Sequence, residues 1–371
     1  MSEKMKKLAN MLVNYSCDIK PKEKVLIEAT NIPEEFLTIL IAEIWKAKAY
    51  PFVWNRSSAI TKALLSNMSE EYALLNKKFD LPVMQEMDAV ILIKAVHNKF
   101  ELSDISAEAK KIYDLLYVEP VEMQERVNRT KWVLLGYPTP SFAQSAGLST
   151  QAFEEFYYKV CTLDYGKMSK AMDALVDYMQ KTDKVRLVGK DTDLTFSIKG
   201  QRAIKCDGKM NVPDGEVYTS PIKDSVNGYI TYNIPSLYNG KRFENVRFVI
   251  EKGKIVEATA GVKTADLNKI LDTDEGARYF GEFALGVNPF VTQPMLDILF
   301  DEKICGSFHL TPGGCYEDAP NGNKSAVHWD LVMCQTSEYG GGEIYFDDKL
   351  VRKDGIFVVE ELKNLNSENL I

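Results

Sequence analysis

Histidine is scarce in this chain. Three occur in 371 residues, His97, His309 and His328, and none begins an HExxH pair, so a thermolysin-type zinc site has no support. No CxxC occurs either. The six cysteines (Cys17, Cys161, Cys206, Cys305, Cys315 and Cys334) are dispersed singly, which argues against a zinc ribbon or a disulfide framework and fits reduced thiols in a cytoplasmic protein. A GxSxG nucleophile elbow is missing, and no GxGxxG follows any strand-like run, so nothing marks a dinucleotide. The longest apolar run is about AVILI at 89–93, far short of the ~20 residues a membrane-spanning helix needs. Lysines interrupt the opening MSEKMKKLANMLVNYS, and no stretch of signal-peptide type follows. Positive charge is in deficit: the formal net charge is -8, which argues against nucleic acid and anionic membrane surfaces as main partners.

What is present is an ordinary globular composition. Hydrophobic residues make up 45% and charged residues 26%, enough for a core of normal size. The length suggests two domains. Residues 3–17 space Met5, Leu8, Met11, Leu12 and Tyr15 as one helical face. Strand-like VLIEAT (25–30), a helical 32–49, then YPFVWN (50–55), DAVILIKA (88–95) and KWVLLGYP (131–138) follow. That alternation predicts an open, mostly parallel sheet with helices on both sides. Residues 150–181 read as helix. From Val185 onward the pattern alternates as strands do, and most of the 22 glycines lie beyond position 180. The fold class is therefore α/β plus α+β. A Rossmann-like parallel-sheet domain is expected over 1–180, and a mixed, largely antiparallel α+β domain over 181–371.

Candidate chemistry concentrates in the second half. In SAVHWD (325–330), an extended backbone puts His328 and Asp330 on one face and Trp329 on the other, because side chains alternate with period two. An imidazole and a carboxylate projecting together supply two metal ligands. Taken singly, His309 and His328 read equally as buried histidines with one ring nitrogen satisfied. His97 has no acidic neighbour and reads as structural. Glu216 follows the turn signal VPDG and stands at a turn–strand junction, facing either a cleft or solvent. Glu282, in GEFALGVNP, is expected to be partly buried, and so needs a metal or a positive partner such as Arg278. Tyr316 is a core aromatic or a phenol aimed at the site. Two histidines, two glutamates and one aspartate from separate segments suit a pair of divalent ions, with zinc, cobalt or manganese favoured by oxygen-rich ligation. A carboxylate can bridge two ions roughly 3.5–4 Å apart, and such sites carry out hydrolysis.

Four motifs stand in order: PDGEVYTSP (213–221), GEFALGVNP (281–289), HLTPGGCY (309–316) and SAVHWD (325–330). Together they resemble the metalloaminopeptidase family that includes aminopeptidase T, aminopeptidase S and PepS. The upstream VRLVGKDTDLTFSI (185–198) and the tail GGGEIYFDDKLVRKDGIF (340–357) look similar too. The resemblance implies that the C-terminal domain binds metal. It implies Glu216, Glu282, His309, His328 and Asp330 as ligands of a two-ion centre, with Glu282 bridging and Tyr316 beside it. By the same token Glu282 and Tyr316 are the expected catalytic residues, short peptides the substrates, and a homodimer the assembly. The runner-up is a ring-cleaving dioxygenase on a similar scaffold, with one iron held by histidine and aspartate. The presence of both Glu216 and Glu282 favours the hydrolase. A third reading, a non-catalytic metal or peptide binder, does not account for five ligands and Tyr316.

Overall fold

The computed structural model describes residues 2–371. The chain divides into two compact units: the residues up to Thr162 together with Gly208–Val212, and Leu163–Asp207 together with Pro213–Ile371. The expected boundary near 180 lies at the far end of a helix, Tyr165–Lys181, that belongs to the second unit. The stretch expected to be helical over 150–181 holds two helices, Thr150–Cys161 and Tyr165–Lys181. Asp164 separates them by accepting a hydrogen bond from the Lys167 amide as a helix cap. The second helix buries Met168, Met172, Leu175 and Met179 as one stripe, at the spacing of an amphipathic helix face, and it contacts the strands Ile204–Cys206 and Glu216–Thr219.

In the first unit, the predicted strands are found at Lys24–Thr30, Tyr50–Arg56, Ala89–Lys94 and Lys131–Gly136. They form a parallel sheet in which the first strand lies between the second and third, and the fourth flanks the third. Val25 to Ala29 and Ala89 to Ile93 are buried without interruption, as strands covered on both faces should be. The two-residue strand Asn211–Val212 joins the fourth strand in parallel. It is too short to carry a periodic signal, so the sequence did not announce it.

The second unit holds two large antiparallel sheets. One has eight strands. The other has five, in the order Val332–Cys334, Ser307–Pro312, Phe280–Gly286, Glu216–Thr219 and Ile204–Cys206. Its register decides the chemistry. Gly286 lies opposite Glu216, Ala284 opposite both Tyr218 and His309, Glu282 opposite Thr311, and Cys206 opposite Glu216. Opposed residues share a face, so one face carries Cys206, Glu216, Glu282, His309 and Thr311. The other face carries Val217, Phe283, Leu285, Phe308 and Leu310, all buried. Phe283 packs there edge-on against Phe196, with ring centroids 5.0 Å apart.

Gly286 has no side chain for a spatial reason. A Cβ there would meet the Ile304 carbonyl oxygen at 2.4 Å and the Ser307 hydroxyl at 2.8 Å. The segment bearing Lys303 crosses at this point, anchored by the Asn288 amide donating to the Lys303 carbonyl at 3.1 Å. Gly286→Ala is therefore expected to cost about 1–3 kcal/mol through overpacking, and thermal unfolding should show a melting temperature lowered by several degrees. An unchanged melting temperature would contradict the close crossing.

Candidate metal centre

The five expected ligands arrive on four segments of the chain. Glu216 opens its strand directly after Pro213–Gly215, where Gly215 has φ +135. Glu282 stands inside the fully buried strand Phe280–Gly286. His309 lies within Ser307–Pro312. His328 and Asp330 do not sit on a regular strand. One bridge, Gly313 to His328, holds that segment. Gly313 has φ +112, and a Cβ on it would meet the Val327 carbonyl oxygen at 1.9 Å, so only glycine permits the bridge. The expected alternation holds all the same. Trp329 points away, stacks on Tyr238 with ring centroids 4.6 Å apart, and donates its indole N–H to the Ser236 hydroxyl at 2.8 Å.

The structure brings all five together. Glu216, Glu282 and His309 form one group whose ligand atoms lie within 4.8 Å of one another, and Glu282, His328 and Asp330 form another. Glu282 belongs to both. Its Oε1 lies 3.5 Å from His309 Nε2, and its Oε2 lies 3.2 Å from His328 Nε2. On the outer sides, His309 Nε2 is 3.6 Å from Glu216 Oε2, and His328 Nε2 is 3.3 Å from Asp330 Oδ1. The Thr311 hydroxyl donates to Asp330 Oδ1 at 2.7 Å. His328 Nδ1 lies 2.8 Å from the Gly314 carbonyl oxygen. As the donor it fixes the ring and turns Nε2 inward, as an outer hydrogen bond does for a metal-ligating histidine.

These residues fit a cation centre on their own chemistry. Glu216 Oε2 and His328 Nε2 are buried without a hydrogen-bond partner. Leaving such an atom unsatisfied costs about 1–3 kcal/mol. Without ions, the carboxylates instead draw protons onto the imidazoles. Burial pushes His309 down, but Glu216 and Glu282 outweigh it and raise it to about 9. Burial likewise opposes a charge on His328, but Asp330 and Glu282 carry it up to about 12. Burial alone would lift Asp330, yet His328 and His309 hold it well below the usual carboxylate range. Glu282 is also lowered, its burial being outweighed by the attraction of His309 and His328 beside its two oxygens. Glu216 is raised, mainly by burial.

Arg278 is not the partner of Glu282. Its guanidinium bonds Asp272 and Asn268, so the simple salt-bridge reading of Glu282 fails. His97 is exposed, follows the strand Ala89–Lys94 of the first unit, and belongs to none of the ligand groups. Tyr316 is 46% exposed, with its ring centroid 4.6 Å from that of His328.

Other residues of the centre went unnoticed in the sequence. Lys303 is fully buried and bonds Glu216 Oε1 at 2.6 Å. Asp214 lies 3.3 Å from the same amine, although in the sequence it is only part of the turn signal VPDG. Cys206, Asp214 and Glu216 make a third group of converging ligand atoms. Nothing local in CDG or DEKICG hints at these roles, because the register of distant strands creates them.

Buried carboxylates and imidazoles converging in this way define the class as a metalloenzyme. The profile of the thermophilic metalloprotease (M29) family matches residues 1–343. The chain belongs to that family and is a metal-dependent protease. It is 24% identical to aminopeptidase 2 of Geobacillus stearothermophilus over 408 residues, covering 95% of each chain. Its fold is similar to that of wild-type AmpT from Thermus thermophilus, with a TM-score of 0.81 at 20% identity over 96% of this chain and 99% of that one. It is also similar to 2,5-dihydroxypyridine dioxygenase from Pseudomonas putida KT2440, with a TM-score of 0.64 at 12% identity over 98% and 99%. Among the described residues, no helix is long and apolar enough to cross a membrane.

Metal loading should release protons, because ligation requires neutral imidazoles and both histidines are protonated near pH 7 in the metal-free protein. Apparent affinity should rise steeply with pH to about 9, where His309 loses its proton unaided, and keep rising towards about 12 because His328 must lose its proton too. Calorimetric titration in two buffers of different ionisation enthalpy should give different heats. Equal heats would contradict this charge state.

Proposed function

We propose that this protease is an aminopeptidase that removes N-terminal residues from short peptides at a two-ion centre bridged by Glu282. One observation carries the reading: the two oxygens of Glu282 face different histidines, 3.5 Å from His309 and 3.2 Å from His328. Glu216 Oε2, His309 and Glu282 Oε1 would hold one ion. Glu282 Oε2, His328 and Asp330 would hold the other. Such ions supply Lewis-acid polarisation of the scissile carbonyl and lower the pKa of water from 15.7 towards about 7.

The remaining steps belong to side chains. Three carboxylates against two divalent ions leave the centre one net positive charge, suited to a developing oxyanion. The fixed geometry of Asp330, held by Thr311, and of His328, held by Gly314, costs no rearrangement as charge develops. Tyr316 stands beside His328. Burial and the nearby Glu282 and Asp330 push its phenol well above the ordinary value, so it stays protonated and able to donate to the carbonyl oxygen. The free α-amine of a peptide would find an acidic or metal-bearing surface. The names of the relatives, aminopeptidase 2 among them, support the exopeptidase reading. The likeness to a dioxygenase concerns the fold. Two ligand groups sharing Glu282 suit a pair of ions better than the single iron of that alternative.

Purified protein supplied with zinc or cobalt should hydrolyse leucyl-p-nitroanilide and leave the N-acetylated substrate intact. Glu282→Gln should lower kcat/KM by about 10²–10⁴, roughly 3–5.5 kcal/mol, while Arg278→Ala keeps most of the activity. A folded Glu282→Gln protein with full metal content and near-normal turnover would overturn the bridging role. Tightly bound iron and no peptidase activity would favour the dioxygenase instead.

A further inference from the structure

The ligand atoms of the third group, Cys206, Asp214 and Glu216, also lie within 4.8 Å of one another. A thiolate with two carboxylates is a competent set for zinc or cobalt. This group, however, already holds a charge. Lys303 Nζ lies 2.6 Å from Glu216 Oε1 and 3.3 Å from Asp214 Oδ1, and Glu302 Oε1 completes its surroundings at 2.6 Å. Lys303 is 0% exposed, and a lysine is almost never so buried unless paired. Its segment is anchored beside Asn288 and admitted by the missing side chain of Gly286. An ammonium and a divalent ion cannot both occupy so small a volume, since like charges at contact repel strongly where water is excluded.

We propose that Lys303 is a built-in cation standing where a third divalent ion would otherwise bind. It closes the Cys206–Asp214–Glu216 group to metal. By occupying Glu216 Oε1, it also leaves only Oε2 for the ion shared with His309. Lys303 is thus a positioning residue that limits the centre to the pair bridged by Glu282. The assignment rests on the reading of the site as a metal centre. Because its test compares variant with wild type, the two can fail separately.

The test replaces the ammonium with an apolar group of similar length. Wild type and Lys303→Met are loaded with cobalt, and metal content and the absorption spectrum are measured. The variant should hold one more ion per chain than wild type and show a thiolate-to-cobalt charge-transfer band in the near ultraviolet. Lys303→Met/Cys206→Ser should lack the band. Equal metal content in wild type and a folded variant, with no thiolate band, would overturn the proposal. Should Lys303→Met unfold without metal, cobalt or cadmium must restore its thermal transition, and must do so less well when Cys206 is also replaced. A variant that no divalent ion restores would overturn it too. A wild type holding a single ion would contradict the two-ion reading while leaving the comparison for Lys303 intact.

Discussion

Everything at this centre depends on a single buried carboxylate placed between two imidazoles. Glu282 sits in the middle strand of a five-stranded sheet, where an unpaired charge would cost several kcal/mol. It is tolerated because His309 comes from the neighbouring strand and His328 from a glycine-held segment, each facing a different oxygen. Remove that arrangement and Glu282 is left as an unpaired acid inside the sheet, while Glu216 retains Lys303 and Asp330 retains Thr311. The sheet itself makes the arrangement rigid. Its opposite face is a continuous apolar layer of Val217, Phe283, Leu285, Phe308 and Leu310, so a slip of one residue would exchange core for charge.

Small residues matter as much as the ligands. Ala284 and Gly286 leave the space on the polar face that larger side chains would fill. Gly286 admits the segment bearing Lys303, and Gly313 admits the bridge to His328. Charge is then balanced locally: Lys303 answers Asp214, Glu216 and Glu302, while the histidines answer Glu282 and Asp330. Trp329 anchors the segment between its two ligands by stacking on Tyr238 and bonding Ser236. The centre is in this sense a polar layer built on one face of an apolar sheet.

Much of this was legible in the sequence. The strand Ala89–Lys94 was readable as a run of β-branched and aliphatic residues, and Lys24–Thr30 nearly so, whereas Tyr50–Arg56 mixes aromatic residues with Pro51 and Asn55 and was readable mainly from its place in the strand–helix alternation. The pairing of His328 with Asp330 followed from a two-residue period, even though the segment carries one bridge and no regular strand. Glu282 was conspicuous as an acid in an apolar run. The boundary expected near 180 follows the change in glycine content, whereas the main stretch of the first unit ends at Thr162, where few breaking residues mark the gap between two helices. Lys303, Asp214, Cys206 and Thr311 were illegible for a different reason. Their roles arise from cross-strand register and from a loop crossing, which no local pattern encodes.

The central claim is that Glu282 joins two ions. Crystals loaded with zinc or cobalt, measured at the absorption edge of the metal, test it most directly. Two anomalous peaks roughly 3.5–4 Å apart are expected, one beside Glu216 and His309, the other beside His328 and Asp330, each in contact with a different oxygen of Glu282. A single peak, or two peaks that Glu282 does not join, would contradict it.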